Sequence, residues 1–496
     1  MNSYELPKSD RKGIEELFKI YNKNGPGYQL AISINHNLVF LQVCGKANLE
    51  YNIDMDCSTL IEAGSVSKQF TAAAILLLEQ QGKLSLDDKI KKFFPELPDI
   101  GLEIKHLLYH TSGLRDWGSI ATLTGWPRGT KAFTNEDVIE IINRQRSVNN
   151  IPNEEFVYSN SNYNLLAVIV ERAGGSSLAS YTYKNIFTPA EMSNTIWRNN
   201  HYKSRFSQAM SYRKSENNYH LDIFNEYAYG NCGLLTTAND LLKWNHYFLS
   251  GRFGTPSLRD KQLTLTKLNN GSINVYSAGL YTRNKNGLSI ICHSGATGSF
   301  RSFLESFPEK NISIAWLSNT SEFDNEINEI LGKVEDILIN TANESQNSSK
   351  ERLRSPTVKD ATKIGEIIIF ENQIDFLCSP YKANIHSREL DYKLGDNITQ
   401  EKSQPDSEKY LGEYFSIDTQ SFLKITSGEK SLVMYLRPYK QYTMIPDTTD
   451  KFLLPGLSGE LLFFRNESND NKIDRLLISI PRARNIEFLK LPMTLS

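Results

Sequence analysis

The sequence predicts an α+β fold, an antiparallel sheet flanked by helices, followed by a small all-β barrel. Three observations predict it. From about residue 28 to 345, strand-like runs stand at both ends of the stretch with helix-like runs between, so the sheet joins distant parts of the chain. After Asn340 the composition turns polar. From Tyr410 onward, short apolar runs recur with turn residues between them, as in small barrels and sandwiches. At 496 residues the chain is too long for one ordinary core, and the expected division is 1–345, a linker over 346–406, and a barrel over 407–496.

The elements follow in order. "GYQLAISINHNLVFLQVCGKA" reads as a hairpin turning at His36-Asn37. A helix is predicted over about 65–81, with Phe70, Ala73, Ile75, Leu76 and Leu77 on a wide apolar face and Gly82 as the stop. Further helices are predicted near 135–145, 162–173, 238–249 and 324–340. In "VYSAGLYTRNKNGLSIICHSG", Asn286-Gly287 is a two-residue turn between two strands. "FRSFLESFPEKNISIAWLSNT" is a further hairpin. "TANESQNSSKERLRSPTVKDATK" and "DNITQEKSQPDSEK" read as an extended, partly ordered linker. The tail supplies seven or eight short strands, from "YLGEYFS" to "NIEFLKL".

Composition narrows the function classes. Hydrophobic content of 40% and charged content of 23% are those of a soluble globular protein. A net charge of −2 gives no reason to expect nucleic acid or an anionic membrane as partner. The five cysteines (Cys44, Cys57, Cys232, Cys292 and Cys378) show neither metal-ligand spacing nor a disulfide framework, so no metal and no cofactor are expected. The first residues lack the apolar core of a signal peptide, and no apolar run is long enough to span a bilayer. The expected localisation is cytoplasmic, with export as the alternative that fractionation of the host decides.

One stretch carries chemistry. In "IEAGSVSKQFTAAAILLLEQQGKLSLDDKI", Ser65 stands before an apolar helix with Lys68 one turn on. A serine there reads either as an N-cap or as a nucleophile whose proton a desolvated lysine takes. The same S-x-x-K spacing recurs at Ser9/Lys12, Ser211/Lys214, Ser421/Lys424 and Ser427/Lys430, but only Ser65 has a glycine before it and a long buried helix after it. A base and nucleophile need a proton donor, oxyanion donors and a substrate-orienting group. "FVYSNSNYNLLAVIVERAGG" offers Tyr158, able to pass a proton if a neighbouring lysine lowers its pKa, and Asn160, able to bind a substrate amide. The alternatives are a core tyrosine and a helix cap. Tyr229-Gly230-Asn231 repeats the pattern in a glycine-rich loop and is set aside as a decoy. "ICHSGATGSF" offers the only H-x-G, His293-Ser294-Gly295, at a strand end, where glycine lets a substrate approach; the N–H of Ala296 just beyond could join that of Ser65 at an oxyanion. An ordinary strand-end histidine is the alternative for His293.

Together these stretches resemble the serine β-lactamase and penicillin-binding superfamily, in which S-x-x-K is a known motif. More narrowly they resemble its class C β-lactamase/D,D-peptidase branch, which includes D-aminopeptidases and β-lactamase-like esterases and carries S-x-x-K, Y-x-N and K/H-x-G in this order. "HLLYHTSGLRDW", "GNCGLLTTANDLLKW" and "HSGATGSFRS" add to the likeness, which covers about 15–340. The tail resembles the small lipocalin-like barrels that follow this domain in some D-aminopeptidase-like and archaeal peptidase relatives.

The resemblance implies a β-lactamase/transpeptidase-like domain with a helical subdomain, and a serine hydrolase working through an acyl-enzyme. In it Ser65, Lys68 and Tyr158 are catalytic, Ser65 and Ala296 form the oxyanion hole, and Asn160, His293, Ser294 and Gly295 meet the substrate. The expected partner is a small molecule or short peptide. Lysine usually replaces His293 in the β-lactamases of this branch, so a D-amino-acid peptide or small ester is expected as substrate ahead of a β-lactam. The alternative is a catalytically quiet penicillin- or peptide-binding protein that uses the barrel for recognition.

Overall fold

The computed structural model describes residues 5–200, 207–350, 407–429, 431–437, 440–466 and 472–492. Most of the expected linker, 351–406, lies outside the described residues; 346–350 belong to a long helix.

The larger part is built on a six-stranded antiparallel sheet. Its strands are β1 (Tyr28–Ile34), β2 (Asn37–Cys44), β3 (Tyr281–Lys285), β4 (Leu288–Thr297), β5 (Phe300–Phe307) and β6 (Ile312–Ser318), in the order β3-β4-β5-β6-β1-β2. Segments from the beginning and the end of the larger part therefore meet where β1 pairs with β6, Ala31 opposite Ala315. Every residue of β1, β5 and β6 is buried, so both faces of the sheet are covered there.

The first hairpin turns at Asn35-His36, one residue earlier than expected. Both residues have positive φ, 50° and 67°, as a two-residue hairpin turn requires, and asparagine tolerates that region well. The later hairpin turns at Asn286-Gly287, again with both φ positive.

Helices α1 (Lys8–Leu17), α2 (Lys68–Gln80), α3 (Trp117–Leu123), α4 (Asn160–Gly174), α5 (Ala238–Leu249) and α6 (Ile327–Lys350) form most of the covering layers. Helix α5 packs on β1 and β6, and α1 packs on α6. Helices α2 and α4 pack together, and α2 is buried from Lys68 to Leu78. An apolar helix with no solvent face holds whatever polar group it carries in a dry environment.

The tail is a closed eight-stranded antiparallel barrel running from Gly412 to Lys490 in sequential order. The last strand returns to the first through Tyr414–Lys490 and Phe415–Leu489. Alternate residues such as Leu423, Ile425, Met434, Phe463, Leu476 and Phe488 fill the interior, as an eight-stranded barrel needs. Ile120 and Leu123 of α3 join the same cluster, so a helix of the larger part closes one side of the barrel core.

The four described cysteines are free thiols. Among the described residues no helix is long and apolar enough to cross a membrane.

Candidate active site

The strand Ile61–Glu62 pairs with Leu234–Thr236 and delivers the chain into a single 3-10 turn, Gly64–Ser67, from which α2 continues. Ser65 is inside that turn and is not the cap. Ser67 takes the cap position, and its Oγ accepts from the Leu234 N–H at 3.2 Å.

Two glycines bring this turn against β4. Gly64 has φ 48°, and a Cβ there would lie 2.5 Å from the Ala296 nitrogen. A Cβ on Gly295 would fall 2.2 Å from the Ala63 carbonyl oxygen. The close approach that the sequence reading assigned to a substrate at Gly295 is thus made by the chain itself. It brings Ala296 beside Ser65, and both line one cavity.

Lys68 is fully buried, with Nζ 2.9 Å from Ser65 Oγ, 3.0 Å from Asn160 Oδ1 and 2.7 Å from the Asn231 carbonyl oxygen. All three partners are neutral. Burial pushes the lysine pKa well below its ordinary value. Nζ is the donor to all three oxygens, Ser65 Oγ among them.

Tyr158 donates to Ser65 Oγ at 2.9 Å, and its ring faces Lys68 Nζ at 4.8 Å. Its pKa is raised by burial rather than lowered by the lysine.

Asn160 begins α4 after Ser159, with its N–H donating to Asp116 Oδ2 at 2.7 Å and its side chain held by Lys68. His293 lies within β4, which continues to Thr297, so it is not at a strand end. The ring is 3% exposed, with Nε2 3.1 Å from the Tyr276 hydroxyl and Nδ1 2.6 Å from the Ser294 carbonyl oxygen. Burial pushes its pKa down to about 3, so it is neutral. Ser65, Tyr158, Asn160 and Ala296 line the cavity, whereas His293, Ser294 and Gly295 do not.

Several contacts at the site have no assigned motif in the sequence. Asn231, set aside as a decoy, supplies the carbonyl that holds Lys68. A backbone oxygen has no side-chain signature, so only the fold could reveal it. His110 stacks on Tyr158 at 4.3 Å between centroids, and its Nδ1 lies 3.3 Å from the Ser159 N–H and 3.0 Å from Asn162 Nδ2. It and Asp116 lie in the phrase "HLLYHTSGLRDW", where a signal was present but unassigned.

The barrel also lines the cavity. The cavity, of about 430 Å³, is walled on one side by Gly456, Leu457, Ser458, Ile480, Pro481 and Arg482. A polar seam fixes the barrel there. Arg115 pairs with Asp418 at 3.0 Å, both nearly without exposure, and also donates to the carbonyls of Arg484 and Asn485 at 2.8 and 3.0 Å. The Asp116 N–H and Asn149 Nδ2 donate to the Arg482 carbonyl at 2.9 and 3.1 Å.

The family model described as Beta-lactamase matches residues 14–333. Penicillin-binding protein 4* of Bacillus subtilis is 28% identical over 356 residues, covering 67% of this chain and 77% of that protein. A D-aminopeptidase of Gluconobacter oxydans is 26% identical over 296 residues, covering 60% of this chain and 56% of that protein. In fold, the chain is similar over 97% of its length to the structure of an octameric penicillin-binding protein homologue from Pyrococcus abyssi, which it covers to 99%, with a TM-score of 0.56 and 21% identity.

Proposed function

The chain belongs to the beta-lactamase family, and from that premise we propose that it is a serine acyl hydrolase acting on an amide or ester through an acyl-enzyme. The observation that carries this reading is the buried, neutral-partnered Lys68 at 2.9 Å from Ser65. Lys68 takes the hydroxyl proton as Ser65 Oγ bonds to the carbonyl carbon. The N–H groups of Ser65 and Ala296 hold the oxyanion, each donor contributing roughly 3 kcal/mol. Tyr158 gives its proton to the leaving group and takes back the one that Lys68 accepted from Ser65. Water then releases the acyl group. Asn160 orients the substrate amide, and His293, Ser294 and Gly295 form the strand beside it.

A neutral His293 supplies no cation for the carboxylate of a β-lactam, which favours a D-amino-acid peptide or small ester as substrate. The D-aminopeptidase relative points the same way. We assign this chemistry to residues 1–345, with 346–406 as linker and 407–496 as the barrel.

The test pairs wild type with Ser65→Ala. Wild type should be labelled by a fluorophosphonate and by benzylpenicillin, and should turn over p-nitrophenyl butyrate or D-alanyl p-nitroanilide faster than nitrocefin. Ser65→Ala should lose both labelling and turnover. Labelling that persists in the variant would remove Ser65 from the mechanism, and a wild type that is labelled but turns over nothing would be a binding protein.

A further inference from the structure

A second cavity lies at the end of the sheet away from Ser65. A row of directly paired residues crosses five strands there: Ser33 on β1 faces Ser313 on β6, followed by Ser306 on β5, Ile291 on β4 and Thr282 on β3. Residues paired in this way share one face of the sheet. Helix α5 and the helix Pro256–Leu263 form the opposite walls, a place that large apolar side chains ordinarily fill. Four of the five residues in the row carry small hydroxyl side chains instead, and a cavity of about 860 Å³ remains. It shares no lining residue with the cavity of Ser65. Along β4, Ile291 and Ala296 are roughly 17 Å apart at ~3.4 Å per residue.

The hydroxyls of this row are short of partners. Ser33 lines the cavity and is 8% exposed, and among the described residues its hydroxyl has no hydrogen bond. Asn245 Nδ2 donates to Ser306 Oγ at 2.6 Å, and Ser306 Oγ lies 2.8 Å from Ser313 Oγ. A single contact between two hydroxyls uses one of their hydrogens, so the other has no acceptor among the described residues. Nδ1 of His246, on α5, is also buried without a partner. Unmet polar groups in a dry place cost stability, and a bound molecule with matching groups removes that cost.

The charges of the lining are at its rim. Arg259 Nε donates to Asp260 Oδ1 at 2.9 Å and Nη1 to the Leu249 carbonyl at 2.9 Å, and Glu309 is exposed on the turn between β5 and β6. His36 and His246 stack with ring centroids 4.1 Å apart. Burial lowers the pKa of both, so the pair is uncharged at neutral pH. A charged ligand would meet no counter-charge on this floor, and an apolar one would leave its hydroxyls unmet. A hydroxyl group both donates and accepts, which is what the floor lacks. The two imidazoles add a flat wall suited to the face of a ring.

We propose that this cavity binds a neutral sugar, with Ser33, Ser313 and Asn245 bonding its hydroxyls and the His36–His246 pair lying against a ring face. The volume suits a mono- or disaccharide. Sugar binding here is independent of the chemistry at Ser65, since the two cavities have separate linings.

Saturation-transfer NMR and calorimetric titration of the full chain test it. The probes are the methyl glycosides of glucose, galactose and mannose, and cellobiose, with glucuronate and glucosamine as charged comparators. At least one neutral probe should bind with a millimolar or tighter Kd, and the comparators about tenfold more weakly. Ser33→Ala should weaken binding roughly 3–10-fold, the range for one hydrogen bond. Ser33→Val also fills space and should abolish binding, while melting no lower than wild type because an apolar group replaces an unpartnered hydroxyl. Should Ser33→Val fail to fold, Ser33→Ala decides. Arg482→Ala, at the wall of the other cavity, should bind the sugar as wild type does. Four results overturn the proposal: no neutral probe saturates, the comparators bind as tightly, Ser33→Ala stays within about twofold of wild type, or Arg482→Ala loses the sugar.

Discussion

Lys68 and Arg115 are both buried without exposure, yet they do opposite things. Lys68, at the heart of the larger part, has only neutral partners, and burial pushes its pKa well down. Arg115, at the seam with the barrel, has the Asp418 carboxylate 3.0 Å away and keeps its charge as a rivet. Burial lowers the pKa of both; at the seam the Asp418 carboxylate opposes it, whereas the hydrogen-bond partners of Lys68 are all neutral.

The same substitution at both positions separates the two roles. Lys68→Met should lower kcat/KM for any turned-over ester by on the order of 10³–10⁴, measured in steady state, because the base is gone. Arg115→Met should instead leave Asp418 buried with one remaining partner, and cost about 3–5 kcal/mol of stability in denaturant titration. Should Arg115→Met melt like wild type, the seam is not held as described.

The pH dependence sharpens the contrast. The folded pKa of Lys68 lies below the ordinary 10.5. Between those two values the unfolded chain holds a proton that the folded chain lacks. Stability therefore rises with pH there and levels off above the ordinary lysine value. The slope from this group is at most about 1.4 kcal/mol per pH unit, and comparing wild type with Lys68→Met between pH 7 and 10 should show it vanish in the variant. Arg115→Met should retain it. The smallest effect is expected at the rim of the seam. Arg146 also reaches Asp418, at 2.7 Å, but is 45% exposed, so Arg146→Gln should cost less than about 1 kcal/mol.

What could be read in advance followed the range of the interaction. The helix carrying Lys68 and its one-turn spacing from Ser65 are local, and the apolar run alone predicts both. The meeting of Tyr158 with Ser65 spans 93 residues of sequence, and only likeness to a family anticipated it. His293 misled because an H-x-G beside polar residues looks like an exposed strand end, whereas β4 runs on past it into a second hairpin. Arg482 left no trace. Nothing in the periodicity of a barrel strand says which of its turns will lie over a site more than 300 residues earlier, a placement that depends on the Arg115–Asp418 pairing across the same distance.

Helix α3 feeds two interiors at once: Trp117 and Ala121 belong to the larger core, and Ile120 and Leu123 to that of the barrel. A stopper shared in this way leaves neither half a finished interior of its own. Severing the polypeptide ahead of residue 407 would uncover a greasy plug on one fragment and an unstoppered mouth on the other. The intact molecule should accordingly melt in one cooperative step, with the barrel's turns kept in place over the nucleophile until the whole gives way.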